Sequence, residues 1–240
     1  MGTLSVCMIV KNEEKYLKNA LTSIKEIADE IIIVDTGSTD NTRGIAKQFT
    51  HNVYNFEWND NFAEARNESL KHATSDWILI IDADETISII DSQRISSLIK
   101  EAPKEISGFI LTQRNYISTK EHLNLGKINN LNVKESGKSN QGFLTNTNDS
   151  YEESKSFAGW MPTPIVRLFR KNQAQFTGVV HEDITPSLKG TIVKTPLQIH
   201  HFGKTDEISW KAKWDFYEKL AEKKAKEEKD YYADFELGRQ

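Results

Sequence analysis

The chain has 240 residues, with 31 Lys and Arg against 35 Asp and Glu for a net charge of -4, a balance that excludes a protein held to nucleic acid mainly through phosphate contacts. Its longest apolar runs fall well short of the roughly 18 residues needed to cross a bilayer, and the N-terminus lacks the basic, apolar, small-residue succession of a secretory leader, so a cytoplasmic protein is expected. The single cysteine, Cys7, lies inside an apolar run, which excludes an internal disulfide framework and predicts a buried structural thiol.

The first half alternates short apolar runs with helical patterns, the sequence form of a parallel sheet built from crossover units. Leu4 to Val10 reads as a strand, and Glu13 to Ile27 as a helix with Leu17, Ala20, Leu21 and Ile24 at helical spacing. Ile31 to Val34 is a buried strand, followed by the turn and capping residues from Asp35 to Thr42 and a helix through Ile45, Ala46 and Phe49. Val53 to Phe56 is a short strand, Phe62 to Ala73 an amphipathic helix, and Trp77 to Ile81 an apolar strand that ends abruptly in Asp82, Asp84 and Glu85. A helix from Asp91 to Glu101 stops before Pro103.

The second half changes character. Gly108 to Asn115, Pro164 to Phe169 and Thr191 to His200 read as strands, with a polar stretch from 118 to 156 that predicts a flexible insertion. Ser209 to Lys229 is a charged helix whose Trp210, Trp214, Phe216, Tyr217 and Leu220 require a partner surface, another domain or a second copy of the chain. The final residues begin another helical pattern without a stop signal, as the start of an extension would.

Ligands of an open parallel sheet bind beyond the carboxyl ends of its strands. The polar loops after the first, second and fourth strands should therefore meet at one edge: Asn12, Glu13 and Glu14; Asp35 to Thr39; Asp82 to Glu85. Carboxylates at the end of a buried strand are costly unless they face a cleft or a cation. Asp82 and Asp84, one residue apart, can converge on a single hard divalent ion. Arg66 and Asn67 can line the same cleft from the intervening helix.

Val6-Cys-Met-Ile-Val-Lys-Asn-Glu-Glu14, Glu30-Ile-Ile-Ile-Val-Asp-Thr-Gly-Ser-Thr-Asp40, Ala65-Arg-Asn67 and Ile81-Asp-Ala-Asp-Glu85 stand in the order and spacing of family 2 glycosyltransferases of the GT-A fold, which the chain resembles over about residues 4 to 90. A weaker resemblance to a bacterial subgroup with peptide and protein acceptors continues through Val166 to Arg170, Gly178 to Asp183 and Ile199 to Gly203. The resemblance implies an α/β catalytic domain over 1–205, with a nucleotide-sugar half (1–103), an acceptor-side half (104–205) and a helical extension (206–240). It implies transfer from a nucleoside diphosphate sugar, UDP-sugar first, with inversion, to a peptide, protein or glycan acceptor. Val10, Asn12, Glu13, Asp35 and Ser38 would meet the nucleoside, although Thr36 stands where many relatives carry a second acid. Arg66, Arg167 and Arg170 would meet the diphosphate, but strand alternation puts Arg167 and Arg170 on opposite faces. Asp84, with Asp82 shared between ribose and metal and with the late His201, would ligate Mn2+ or Mg2+. The general base falls among His181, Glu182 and Asp183, with Glu182 preferred.

Two other functions fit parts of this pattern. A nucleotidyltransferase making activated sugars uses a similar sheet, but its usual Gly-rich first loop is absent from Val10-Lys-Asn-Glu-Glu14. A non-catalytic nucleotide- or polypeptide-binding module would have less need of the acids, arginines and late histidine together.

Overall fold

The computed structural model describes residues 2–117, 144–146, 151–172, 174–180 and 182–203, together with 216, 219 and 220. Most of the expected polar insertion and of the C-terminal helical extension lies outside these residues, as does His181. The chain order is β1 (Leu4–Val10), α1 (Leu17–Ile24), β2 (Glu30–Asp35), α2 (Thr42–Ala46), β3 (Val53–Asn55), α3 (Phe62–His72), β4 (Trp77–Ile80), β5 (Glu85–Thr86), α4 (Ile89–Glu101), β6 (Ile106–Ile117), β7 (Leu144–Thr145), β8 (Gly159–Arg170) and β9 (Thr191–His201).

One sheet runs in the order β3-β2-β1-β4-β8-β6-β9-β5, with β7 on β8. The pairs β3-β2, β2-β1 and β1-β4 are parallel, as the alternation of strands and helices requires. Beyond β4 the sheet is mixed: β8 is antiparallel to β4 and β6, while β6 and β9 are parallel. Period-two alternation sends Val6, Met8, Ile33, Leu79 and Ile81 to the face covered by α1 and α4. Cys7, Ile32, Ile78, Ile80 and Phe169 go to the opposite face, against Ala63 and Leu70 of α3. Cys7 is accordingly fully buried, and burial pushes its thiol up to about 12.

The helix ends follow local chemistry. Asn61 caps α3 by accepting from Glu64 N, and Ser88 caps α4 by accepting from Asp91 N, so α4 begins at Ile89, ahead of the expected Asp91. Residues Glu13 to Tyr16 form a turn, not the first turn of α1, because Asn12 adopts a left-handed backbone (φ 55°) and the preceding strand must reverse there. β8 extends well beyond the expected Pro164 to Phe169. Its Pro162 and Pro164 fall where, among the described residues, it pairs with β6 alone, an edge that tolerates the missing N–H.

The end of the expected insertion is packed. Tyr151 stacks on His200 (3.6 Å between ring centroids) and its hydroxyl lies 2.8 Å from Thr86 Oγ1. Two-residue strands such as β5 leave no periodic signal, yet β5 matters most: its pairing sets Glu85 opposite His201 and Thr86 opposite His200. The last strand thereby delivers its histidines to the end of β4.

Candidate active site

The loops after β1 and β2 are tied together at the carboxyl edge of the sheet. Asn12 N donates to Ser38 Oγ (2.9 Å), Asn12 Oδ1 accepts from Thr39 N (2.7 Å), and Glu13 N donates to Thr42 Oγ1 (2.7 Å). Asp35 is buried and accepts from Ser38 N at 3.0 Å, which braces the turn at Gly37, whose φ of 106° suits only glycine. Val10 presents its carbonyl to Thr36, whose N and Oγ1 donate at 2.9 and 3.2 Å. The threonine that departs from the resembled motif thus binds the first strand to the second.

Asp82 is the hub of a charged network. Arg66 Nη2 reaches its Oδ1 at 2.9 Å and Arg167 Nη2 its Oδ2 at 2.8 Å. Burial alone would raise the Asp82 pKa, but Arg167 and Arg66 outweigh it and hold the carboxyl well below the usual range. Glu85, fully buried, accepts from Asp82 N (2.8 Å) and Gln113 Nε2 (2.5 Å), and so fixes the Asp82-Ala-Asp84 turn. Here burial wins over the Arg167 charge, and the Glu85 pKa is raised. Arg66 Nη1 and Arg167 Nε have no hydrogen-bond partner among the described residues, although both side chains are over nine-tenths buried. Such N–H groups are costly to leave unpaired and suit an anionic oxygen.

Asp84 and His201 meet beside this hub, with Oδ2 and Nε2 3.5 Å apart. Two adjacent ligands of an octahedral ion at about 2.1 Å would stand about 3 Å apart, so the pair fits one divalent cation with little adjustment. Gly203 makes the approach possible, since a Cβ there would collide with both Asp84 Oδ2 and His201 Nε2. Phe202 N donates to Asp84 O at 2.9 Å and fixes the backbone between them. Among the described residues no cluster of three or more His, Cys, Asp or Glu side chains suits a metal. An ion here would take two protein ligands and complete its shell from phosphate and water, as Mg2+ commonly does. Asp82, expected to share that ion, gives each of its oxygens to an arginine, Oδ1 to Arg66 and Oδ2 to Arg167.

The residues around Glu182 rest on α3. Phe62 N donates to Val179 O (2.9 Å), Asn67 Nδ2 to Phe176 O (2.9 Å), and Phe176 N to Asn67 Oδ1 (2.8 Å). Thr177 and Asp183 close the loop through a reciprocal backbone pair. Glu182 Oε1 then lies 2.5 Å from Arg66 Nε, on the same guanidinium that holds Asp82. Asp183, the alternative base, is exposed and accepts from Thr185 N at 2.8 Å, capping the following turn away from that guanidinium.

Arg170 does not join the site. Its register partner is Trp77 at the start of β4, roughly 15 Å along the strand from Asp82, and its guanidinium donates to the carbonyls of Ala102, Pro103 and Ile106. Antiparallel pairing explains the correction, since moving three residues along β8 from Arg167 carries Arg170 towards the opposite edge of the sheet. Sequence reasoning missed Gln113 and Asn115. Being two apart they share one face, but they stand in the polar run Thr112-Gln113-Arg114-Asn115, which shows no alternation to single them out. A cleft of about 1280 Å³ lies between α1 and the start of α4, with Asp84 and Glu85 in its lining.

The chain is 44% identical over 87 residues to a TPR repeat-containing protein of Synechococcus elongatus, a match covering 36% of this chain and 22% of that one. It is 38% identical over 100 residues to the SPbeta prophage-derived glycosyltransferase SunS of Bacillus subtilis, covering 41% and 24%. The matched stretch thus spans about a quarter of these relatives' length. Among solved structures, glucosyl-3-phosphoglycerate synthase from Mycobacterium tuberculosis superposes with a TM-score of 0.49 at 15% identity, over 83% of this chain and 71% of that one. Staphylococcus aureus TarS gives 0.47 at 17%, over 93% and 40%. The model of the family described as glycosyl transferase family 2 matches residues 5–158, more than half of the chain, and takes in β1 to β6 with Asp82, Asp84 and Arg66; the chain belongs to that family.

Proposed function

We propose that this chain is a metal-dependent, inverting glycosyltransferase that moves a sugar from a nucleoside diphosphate, uridine diphosphate first, to a peptide, protein or glycan acceptor. The observation that carries the reading is the pairing of Asp84 with His201 at the end of β4, a two-ligand site that leaves coordination for a diphosphate. Membership of family 2 and the relative named as a glycosyltransferase support the activity. Bound there, Mn2+ or Mg2+ would offset the negative charge that gathers on the departing diphosphate. Arg66 and Arg167, held on Asp82, would bring their positive charge to its oxygens. The loops carrying Asn12, Glu13, Asp35 and Ser38 would receive the nucleoside.

Glu182 serves best as general base: its carboxylate sits on the guanidinium that also holds Asp82, whereas Asp183 faces solvent. It takes the acceptor proton as the acceptor atom bonds to the anomeric carbon, and the bond to the diphosphate breaks on the opposite face. We place the catalytic domain at 1–205 and a helical extension at 206–240, in keeping with the relative named as TPR repeat-containing. No helix among the described residues is long and apolar enough to cross a membrane.

A panel of nucleotide sugars incubated with the protein and Mn2+ tests this reading. Release of a nucleoside diphosphate is the expected outcome. Release of pyrophosphate from a nucleoside triphosphate and a sugar phosphate would instead establish a nucleotidyltransferase, and binding without either release would leave a binding module.

A further inference from the structure

Asn115 lies on β6 in register with both Met161 of β8 and His201 of β9, and it is buried. Its amide nitrogen donates to Met161 O (3.2 Å) and Thr163 Oγ1 (3.0 Å), while its Oδ1 lies 2.8 Å from His201 Nδ1. The amide cannot be turned over without setting its oxygen against the Met161 carbonyl, two acceptors with no proton between them. Asn115 therefore presents an acceptor to Nδ1, which must carry the proton. The lone pair of a neutral His201 is left on Nε2, the atom beside Asp84 Oδ2.

From this geometry we infer that Asn115 is the positioning residue of the cation site, selecting the His201 tautomer and ring orientation that direct Nε2 at the ion held with Asp84. The inference rests on the metal reading of Asp84 and His201 and deepens it. An outer partner of this kind typically changes metal affinity by about 10- to 100-fold. Glu85, with Gln113 and Arg167 upon it, braces the Asp82-Ala-Asp84 turn, and Asn115 holds the imidazole at Nδ1.

The test is Mn2+ affinity of the full chain with UDP present, read from the electron paramagnetic resonance signal of free Mn2+. Wild type, His201→Ala, Asn115→Leu and Asn115→Asp are compared, with thermal melts alongside. Asn115→Leu is expected to weaken Mn2+ binding by about 10-fold or more. Asn115→Asp, which keeps an acceptor for Nδ1, is expected to stay within about threefold of wild type even if its melting temperature falls. Unchanged affinity in Asn115→Leu overturns the inference. So does loss in Asn115→Asp equal to that of His201→Ala, the deciding variant should the leucine variant not fold. Either outcome leaves the metal reading standing, provided His201→Ala itself loses Mn2+. Should wild type bind no Mn2+, or His201→Ala bind as well as wild type, the inference and the metal reading fall together.

Discussion

Arg66 ties two acids of the site to one guanidinium. It sits on α3 with 5% of its surface exposed, reaches Asp82 and Glu182 with separate nitrogens, and lies 5.8 Å from the Phe176 ring. Burial disfavours its charge, but the two carboxylates more than compensate and raise its pKa. Removing it leaves Asp82 to Arg167 alone and takes from Glu182 its ion pair, and breaking a buried pair from one side costs about 3 kcal/mol or more. Arg66→Ala is therefore expected to lose about that much stability by urea denaturation, and Arg66→Lys to recover only part of it, because an ammonium cannot serve two acids in the planar fork geometry. Stability unchanged in Arg66→Ala would show that the network is not held by this residue. Of these contacts, the sequence displayed Arg66 and Asp82 through their motifs. It could not display the bond to Glu182, which lies 116 positions further along the chain.

α3 is the platform on which the base loop is mounted. Its first N–H groups go to the Asn61 cap and to Val179 O, and one turn later Arg66 and Asn67 take hold of Glu182 and Phe176. The Asn67 amide pairs with both backbone groups of Phe176, as a neighbouring strand would. Asn67→Ala removes both bonds at about 1 kcal/mol each. It is expected to raise amide hydrogen exchange across 174–184 while leaving β1, β2 and β4 protected, and uniform exchange across the molecule would contradict this. The element pattern of the first half was legible because β1, β2 and β4 are apolar runs buried on both faces, with helices at regular intervals between them. β5 and β7 were not legible, since two residues carry no period, and the length of β8 was hidden by its prolines.

At the scale of the whole sheet, the site arises where two kinds of strand order meet. The parallel half delivers Asn12, Asp35 and Asp82 to one edge, and the mixed half folds β9 back so that β5 sets His201 against Glu85. The pattern of strands anticipated that three loops would converge, and the family resemblance that a late histidine would join them. It did not anticipate that Asp82 would be held by arginines or that Arg170 would point to the far edge, because both follow from the antiparallel register of β8 on β4. The central claim is that the Asp84–His201 pair holds the cation on which sugar transfer depends. Its most direct measurement is Mn2+-dependent release of UDP from the best donor of a UDP-sugar panel, comparing wild type with Asp84→Asn. The account predicts a loss of about 100-fold or more in the variant, with little change in melting temperature, since Asn has the shape of Asp and keeps a hydrogen-bonding oxygen. Undiminished release by a folded Asp84→Asn, or by wild type stripped of divalent ions, would contradict it.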